Sequence, residues 1–206
     1  MQPTEDLDST FVPVIDFTTV LNNLSVTVRR KEDVEHVDAP NAFVNGDLTE
    51  DVQVGMLQPK FFEDLIYPQY ILKILKSIYG IRKAHRVWHK HLRGIFLKLC
   101  LTPMQYAESG FYGILDREHI RVLVYVDNIL IMPRSCKAIQ AVKNNLMEHY
   151  GLTELGDISK FLGVNVRRGD WLFTLNQEFY IDKTITLAGM NDCKPASNPM
   201  DTGLYG

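Results

Sequence analysis

The longest apolar run in the chain, Val122 to Met132, is interrupted by Asp127 and Asn128, and that interruption constrains the fold more than any other feature. The run is too short to cross a bilayer, which takes about 20 residues. Two polar residues within an apolar stretch are costly to bury unless something satisfies them. The segment therefore reads as a β-hairpin, with Ile120 to Tyr125 leading in, Ile129 to Met132 leading out and a tight turn at Asp127-Asn128. Asp and Asn occupy such turns for conformational reasons alone, but a tip that presents carboxylates can also hold a divalent metal. A third carboxylate on a neighbouring strand would complete the set, and Asp38, which closes the alternating run Val34 to Asp38, is the natural candidate.

The rest of the chain supplies a core and a scaffold for that hairpin. Hydrophobic residues make up 46% and aromatics 10% of 206 residues, enough for one large domain and against wholesale disorder. Helical spacing of Val20, Leu21, Leu24 and Val28 predicts a helix from Thr18 to Arg30, with Asp16 as its cap. Asn45-Gly46 supplies a turn. A second helix, Arg82 to Leu99, places Trp88, Leu92, Ile95, Phe96 and Leu99 on one face and Arg82, Arg86, Lys90 and Arg93 on another. The basic side is a solvated face or a strip that tracks a phosphate backbone. Phe111 to Leu115 and Ile120 to Tyr125 read as strands joined across Asp116-Arg117-Glu118-His119. A helix follows from Ser135 to Tyr150, then a hairpin of Phe161 to Val166 and Trp171 to Leu175 about Arg168-Gly169-Asp170, then a helix from Asn176 to Ala188. Helices mixed with antiparallel hairpins predict an α+β domain.

Charge and cysteine usage narrow the setting. The net charge of -3 leaves nucleic-acid binding to local basic clusters, because phosphate neutralisation needs Lys and Arg. Cys100, Cys136 and Cys193 are odd in number and unpaired in pattern, as expected of free thiols in a reducing compartment. No apolar segment resembling a signal peptide opens the chain, so an intracellular protein, in the cytoplasm or nucleus and without membrane attachment, is expected. His85 and His89 stand four apart on a helix but lack a further ligand in that pattern, and solvated histidines are the better reading.

Several segments, in order, carry a family resemblance from about residue 9 to 200. They begin with Phe11-Val12-Pro13-Val14 and Thr18-Thr19-Val20, then the long run from Val37-Asp38-Ala39-Pro40 through Phe43 to Leu48. Ser77-Ile78-Tyr79-Gly80-Ile81-Arg82-Lys83-Ala84-His85-Arg86-Val87-Trp88 follows, then Tyr125-Val126-Asp127-Asn128-Ile129-Leu130-Ile131, Leu155-Gly156-Asp157-Ile158, Phe161-Leu162-Gly163-Val164 and Gly189 to Pro195. Together they resemble the reverse-transcriptase domain of copia-type retrotransposons, a fragment of a Pol polyprotein. The resemblance implies a palm-like antiparallel sheet backed by helices, with partial fingers, over residues 11–175. A flexible tail would precede it at 1–10, and the start of a thumb with a C-terminal tail would occupy 176–206. It implies RNA-directed DNA polymerisation on an RNA or DNA primer–template with dNTPs and Mg²⁺. Asp38 and Asp127 would bind metal. Phe43 would be the steric gate against a ribose 2′-hydroxyl, and Tyr79 and Gly80 would lie beneath the incoming base pair, where glycine permits close approach. Arg82, Lys83 and Arg86 belong to the template- and nucleotide-positioning motif, and Phe161, Leu162 and Gly163 to the primer grip.

The same comparison exposes departures. Asn128 stands where the family has a second aspartate, so the set loses one of three negative charges. Magnesium sites rely on hard anionic oxygen, and the loss should cost at least ~10²–10³ in rate, by analogy with other electrostatic stabilisers. Pro40 removes a backbone donor near the metals, and His85 replaces the usual proline. The basic fingers segment upstream and the protease, integrase and RNase H regions of a full polyprotein are not in this sequence. The expectation is a truncated, degenerate polymerase domain. A non-catalytic nucleic-acid-binding or interaction module and an unselected retroelement relic are the alternatives.

Overall fold

Helix α1 (Phe17–Arg30) begins where Asp16 accepts a 2.8 Å hydrogen bond from the Thr19 amide, the cap expected from the sequence. It ends at Lys31, whose left-handed backbone (φ 55°) lets its N–H reach back to the Thr27 and Val28 carbonyls. The computed structural model describes residues 14–40, 44, 48, 54–78, 81, 84–133, 135–170 and 172–196, apart from the Cys136 side chain. After α1 come β1 (Glu35–Asp38), β2 (Val54–Leu57), β3 (Ile71–Ile74) and α2 (Ala84–Lys98). The central strands are β4 (Thr102–Met104), β5 (Ala107–Leu115), β6 (Glu118–Tyr125) and β7 (Asn128–Met132). Helix α3 (Cys136–His149) leads to β8 (Thr153–Asp157), β9 (Lys160–Phe161), β10 (Val164–Gly169), β11 (Leu172–Asn176) and α4 (Glu178–Leu187).

Six strands form one sheet in the order β4-β5-β6-β7-β1-β8, with antiparallel pairing between neighbours. Strand β1 slots between β7 and β8 although it is first in sequence. The β9-β10-β11 sheet and the β2-β3 ribbon are separate. The mixed α/β class with a mostly antiparallel sheet agrees with the α+β expectation. Among the described residues, no helix is long and apolar enough to cross a membrane.

Two cores flank the main sheet, because successive strand residues point to opposite faces. On one face Val37, Val122, Val124, Ile129 and Ile131 meet Trp88, Leu92 and Phe96 of α2 and Val142 and Leu146 of α3. On the other, Leu123, Leu130 and Met132 meet Val20 and Leu24 of α1 and Phe161 and Val166 of the β9-β10 hairpin. Each fully buried side chain of this size contributes roughly 1.5–3 kcal/mol. Helix α4 contributes no buried residue.

Several boundaries differ from the sequence expectation. The turn before β7 is Val126-Asp127, since Tyr125 pairs with Asn128; Asn128 is a strand residue, not the second turn residue. The β5–β6 turn is Asp116-Arg117, both with positive φ (51° and 68°), the geometry of a two-residue hairpin loop. Glu118 and His119 consequently join the ladder opposite Leu115 and Ile114. The run 161–166 is not one strand: Leu162 and Gly163, with φ of 51° and 76°, fold β9 back onto β10. Strands β2, β3, β4 and β8 carry no clear alternating signal and were not expected. The Asn45-Gly46 turn and Trp171 lie outside the described residues.

Candidate functional site

The site grows from a register. Strands β1 and β7 pair so that Asp38 lies opposite Asn128 and His36 opposite Leu130. Strand alternation therefore puts Asp38, His36 and Asn128 on the face that holds Leu130 and Phe161, away from α2 and α3. The Ala39 amide donates to the Asp127 carbonyl at 2.9 Å, which extends the β1–β7 pairing into the turn and brings Asp127 beside Asp38.

The turn itself is strained. Val126 has φ 58°, a left-handed conformation that a β-branched residue rarely adopts and that costs on the order of 1–3 kcal/mol. Trp88 helps to hold it: its indole Nε1–H donates to the Val126 carbonyl at 2.6 Å, from a side chain that is itself packed edge-on against Tyr150. Helix α2 thus fixes the tip from behind the sheet.

In front of the sheet, polar contacts run from His36 to Asp127. His36 Nε2 lies 2.8 Å from Asn128 Oδ1, and Asn128 Nδ2 donates to Asp127 Oδ1 at 3.0 Å. Burial raises the Asp38 pKa above its ordinary value, the neighbouring Asp127 charge raises it further, and His36 partly offsets both. The cost of holding two carboxylates together is what a bound cation would relieve. Among the described residues, no group of three or more His, Cys, Asp or Glu gathers in metal-holding geometry. Asp38 and Asp127 put two carboxylates near each other at the tip, hard oxygen donors of the kind a divalent cation takes.

The β9-β10 hairpin closes the other side. Phe161 packs edge-on against His36 (5.8 Å) and Tyr125 (6.2 Å). Together with Leu162, Gly163 and Asn128 these residues line a pocket of about 490 Å³. The structure thus gathers Asn128, Phe161, Leu162 and Gly163 around the pocket; Asp38, paired opposite Asn128, and Asp127, bonded to Asn128, adjoin that residue but do not line the pocket. Arg86 is exposed on α2 and does not line the pocket, because α2 packs on the opposite face. Phe43, Tyr79, Gly80, Arg82 and Lys83 lie outside the described residues. Sequence reasoning passed over His36 and the indole of Trp88. His36 was accessible from its place two residues before Asp38 in a strand, which puts both on one face; the Trp88 contact is long-range and leaves no such signal.

Comparison with known proteins supplies the context for this geometry. The profile of the family described as reverse transcriptase (RNA-dependent DNA polymerase) matches residues 1–202. The chain is 32% identical over 97% of its length to the retrovirus-related Pol polyprotein from transposon RE1 of Arabidopsis thaliana. It is 32% identical over 98% to that from transposon RE2 of the same plant, and 30% identical over 95% to that from transposon TNT 1-94 of Nicotiana tabacum. It spans 13%, 14% and 15% of these relatives' lengths, respectively. No solved structure matches it. A match across nearly every residue, with the motif segments in order, means that the chain belongs to the reverse transcriptase (RNA-dependent DNA polymerase) family.

Proposed function

We propose that this chain is the palm-like reverse-transcriptase portion of a retrotransposon Pol polyprotein, built for nucleotidyl transfer and now catalytically degenerate at position 128. The observation that carries the reading is the register that sets Asp38 opposite Asn128 and next to Asp127. In this reading Asp38 and Asp127 are the metal-binding carboxylates. Mg²⁺ held there would neutralise charge developing on the transferred phosphoryl group and orient the in-line attack. Phe161, Leu162 and Gly163 support the primer end beside that centre. Phe43 excludes a 2′-hydroxyl, and Tyr79 and Gly80 underlie the new base pair. Arg82, Lys83 and Arg86 serve template and nucleotide positioning. The substrates are an RNA or DNA primer–template and dNTPs, residues 11–175 form palm and partial fingers, and the thumb begins at 176. The remaining polyprotein segments, integrase and RNase H among them, complete the element.

Asn128 brings no charge, so one of three negative charges is missing and the chain is inactive or very weak. Primer extension with Mg²⁺ or Mn²⁺ tests this. Asn128→Asp should exceed the wild-type chain by at least ~10²-fold, the scale of losing one electrostatic stabiliser. Robust synthesis by the wild-type chain would overturn the degeneracy, and silence of both proteins would place the defect elsewhere in the scaffold. A second reading, non-catalytic binding of nucleic acid, draws on the exposure of Arg86, Lys90 and Arg93 on α2. It requires primer–template binding that weakens steeply with salt, and absence of binding at low salt removes it.

A further inference from the structure

The hydrogen-bond string at the tip has a direction. A carboxylate only accepts, so the Asn128 group 3.0 Å from Asp127 Oδ1 must be its amide nitrogen. The Asn128 oxygen then faces His36 at 2.8 Å, and the imidazole must donate through Nε2–H. His36 is 4% exposed and held edge-on by Phe161, so the donor is fixed before it meets the amide. With its oxygen engaged by His36, Asn128 has its amide nitrogen, not a ligand oxygen, toward the carboxylates.

We propose that His36 is a positioning residue: it locks Asn128 as a donor that orients the Asp127 carboxylate, so position 128 here acts behind the metal-binding group instead of ligating. This rests on the reading of Asp38 and Asp127 as the cation site. An aspartate at 128 could not donate to Asp127 in this way. His36, Asn128 and Asp127 thus form a line of donor, relay and carboxylate behind the proposed ligand.

Two measurements on the full 206-residue chain test it. In side-chain amide NMR spectra of the metal-free protein, one proton of the Asn128 NH₂ pair, identified by its disappearance in Asn128→Ala, should be displaced downfield by its bond to Asp127. His36→Gln, which keeps an N–H donor, should preserve that displacement, and His36→Leu should move the proton toward its free-amide position. In Mn²⁺ titrations followed by electron paramagnetic resonance, His36→Leu should bind about tenfold more weakly than wild type, with His36→Gln recovering most of the loss. Asn128→Ala, which leaves the imidazole packed on Phe161, should show the same weakening without disturbing the core, and combining it with His36→Leu should add nothing. Unchanged Asn128 signals and unchanged Mn²⁺ affinity in His36→Leu overturn the proposal while leaving the cation site standing. If Asp38→Asn and Asp127→Asn leave Mn²⁺ binding at the wild-type level, the cation-site reading fails and takes the proposal with it.

Discussion

Arg121 shows how one side chain can govern an interface. It projects from β6 beneath α1, where one guanidinium nitrogen donates to the Asn23 carbonyl (3.1 Å) and side-chain oxygen (3.0 Å). The other donates to Thr27 Oγ1 (2.9 Å) and pairs with the Glu32 carboxylate. Glu32 is 4% exposed, and without Arg121 its carboxylate keeps only a 3.8 Å contact with Arg30, so a buried charge is left poorly compensated. Arg121→Leu is expected to cost about 3–5 kcal/mol, read as a lower urea midpoint, and Arg121→Leu with Glu32→Leu should recover much of it. His89 carries a pH effect. Burial lowers its pKa below the ordinary 6.5, against the opposing influence of Glu108. As pH falls through about 6.5 the unfolded chain takes up a proton that the folded chain refuses. Stability present above that value is therefore lost toward the lower folded pKa. Thermal midpoints measured from pH 7.5 to 5.5 should fall, and His89→Gln should flatten that part of the curve. The adjacency of Asp38 and the Asp127 turn was legible from strand and hairpin pattern, whereas the network on Arg121 was not. The polar pair Asn23 and Thr27, buried beside Val20 and Leu24 on the inner face of α1, was its one sequence trace.

Among the elements, helices were read closely because their signal is local and repeated. Asp16 caps α1, the apolar stripe of α2 is buried through Trp88, Leu92, Ile95 and Phe96, and Gly189 ends α4 with φ 65°. Its amide reaches Thr186, and the next reaches Ile185, closing the last turn. Turns were read less well, because their backbone angles are set by pairing across the strand. Val126 looks like a strand residue and takes a left-handed turn conformation instead. The Leu162-Gly163 turn offers a clean test. A Cβ on Gly163 would meet nothing within 4 Å, yet its φ is 76°. Gly163→Ala should therefore destabilise through backbone strain alone, by roughly 1–2 kcal/mol, measured by chemical denaturation. A neutral result would mean that the β9-β10 turn is free to change conformation.

At the scale of the molecule, stability resides in the two cores on the main sheet, and α4 lies outside both. Breaking α4 with Thr184→Pro should shift the thermal midpoint by no more than about 2 °C, since a change of 1 kcal/mol moves domains of this size by only a few degrees. A larger drop, seen by calorimetry, would show that α4 is integral to the fold. Local patterning by itself determined the helices, the apolar strands β6 and β7 and the α+β class, because burial periodicity is written within a few neighbouring positions. Only the tertiary structure decided that β1 lies between β7 and β8, that Asp38 faces Asn128, and that His36, Phe161 and Trp88 converge on one turn from both sides of the sheet. Those are choices of partner and register between distant segments, and they are settled by which pairing buries both faces of the sheet at once.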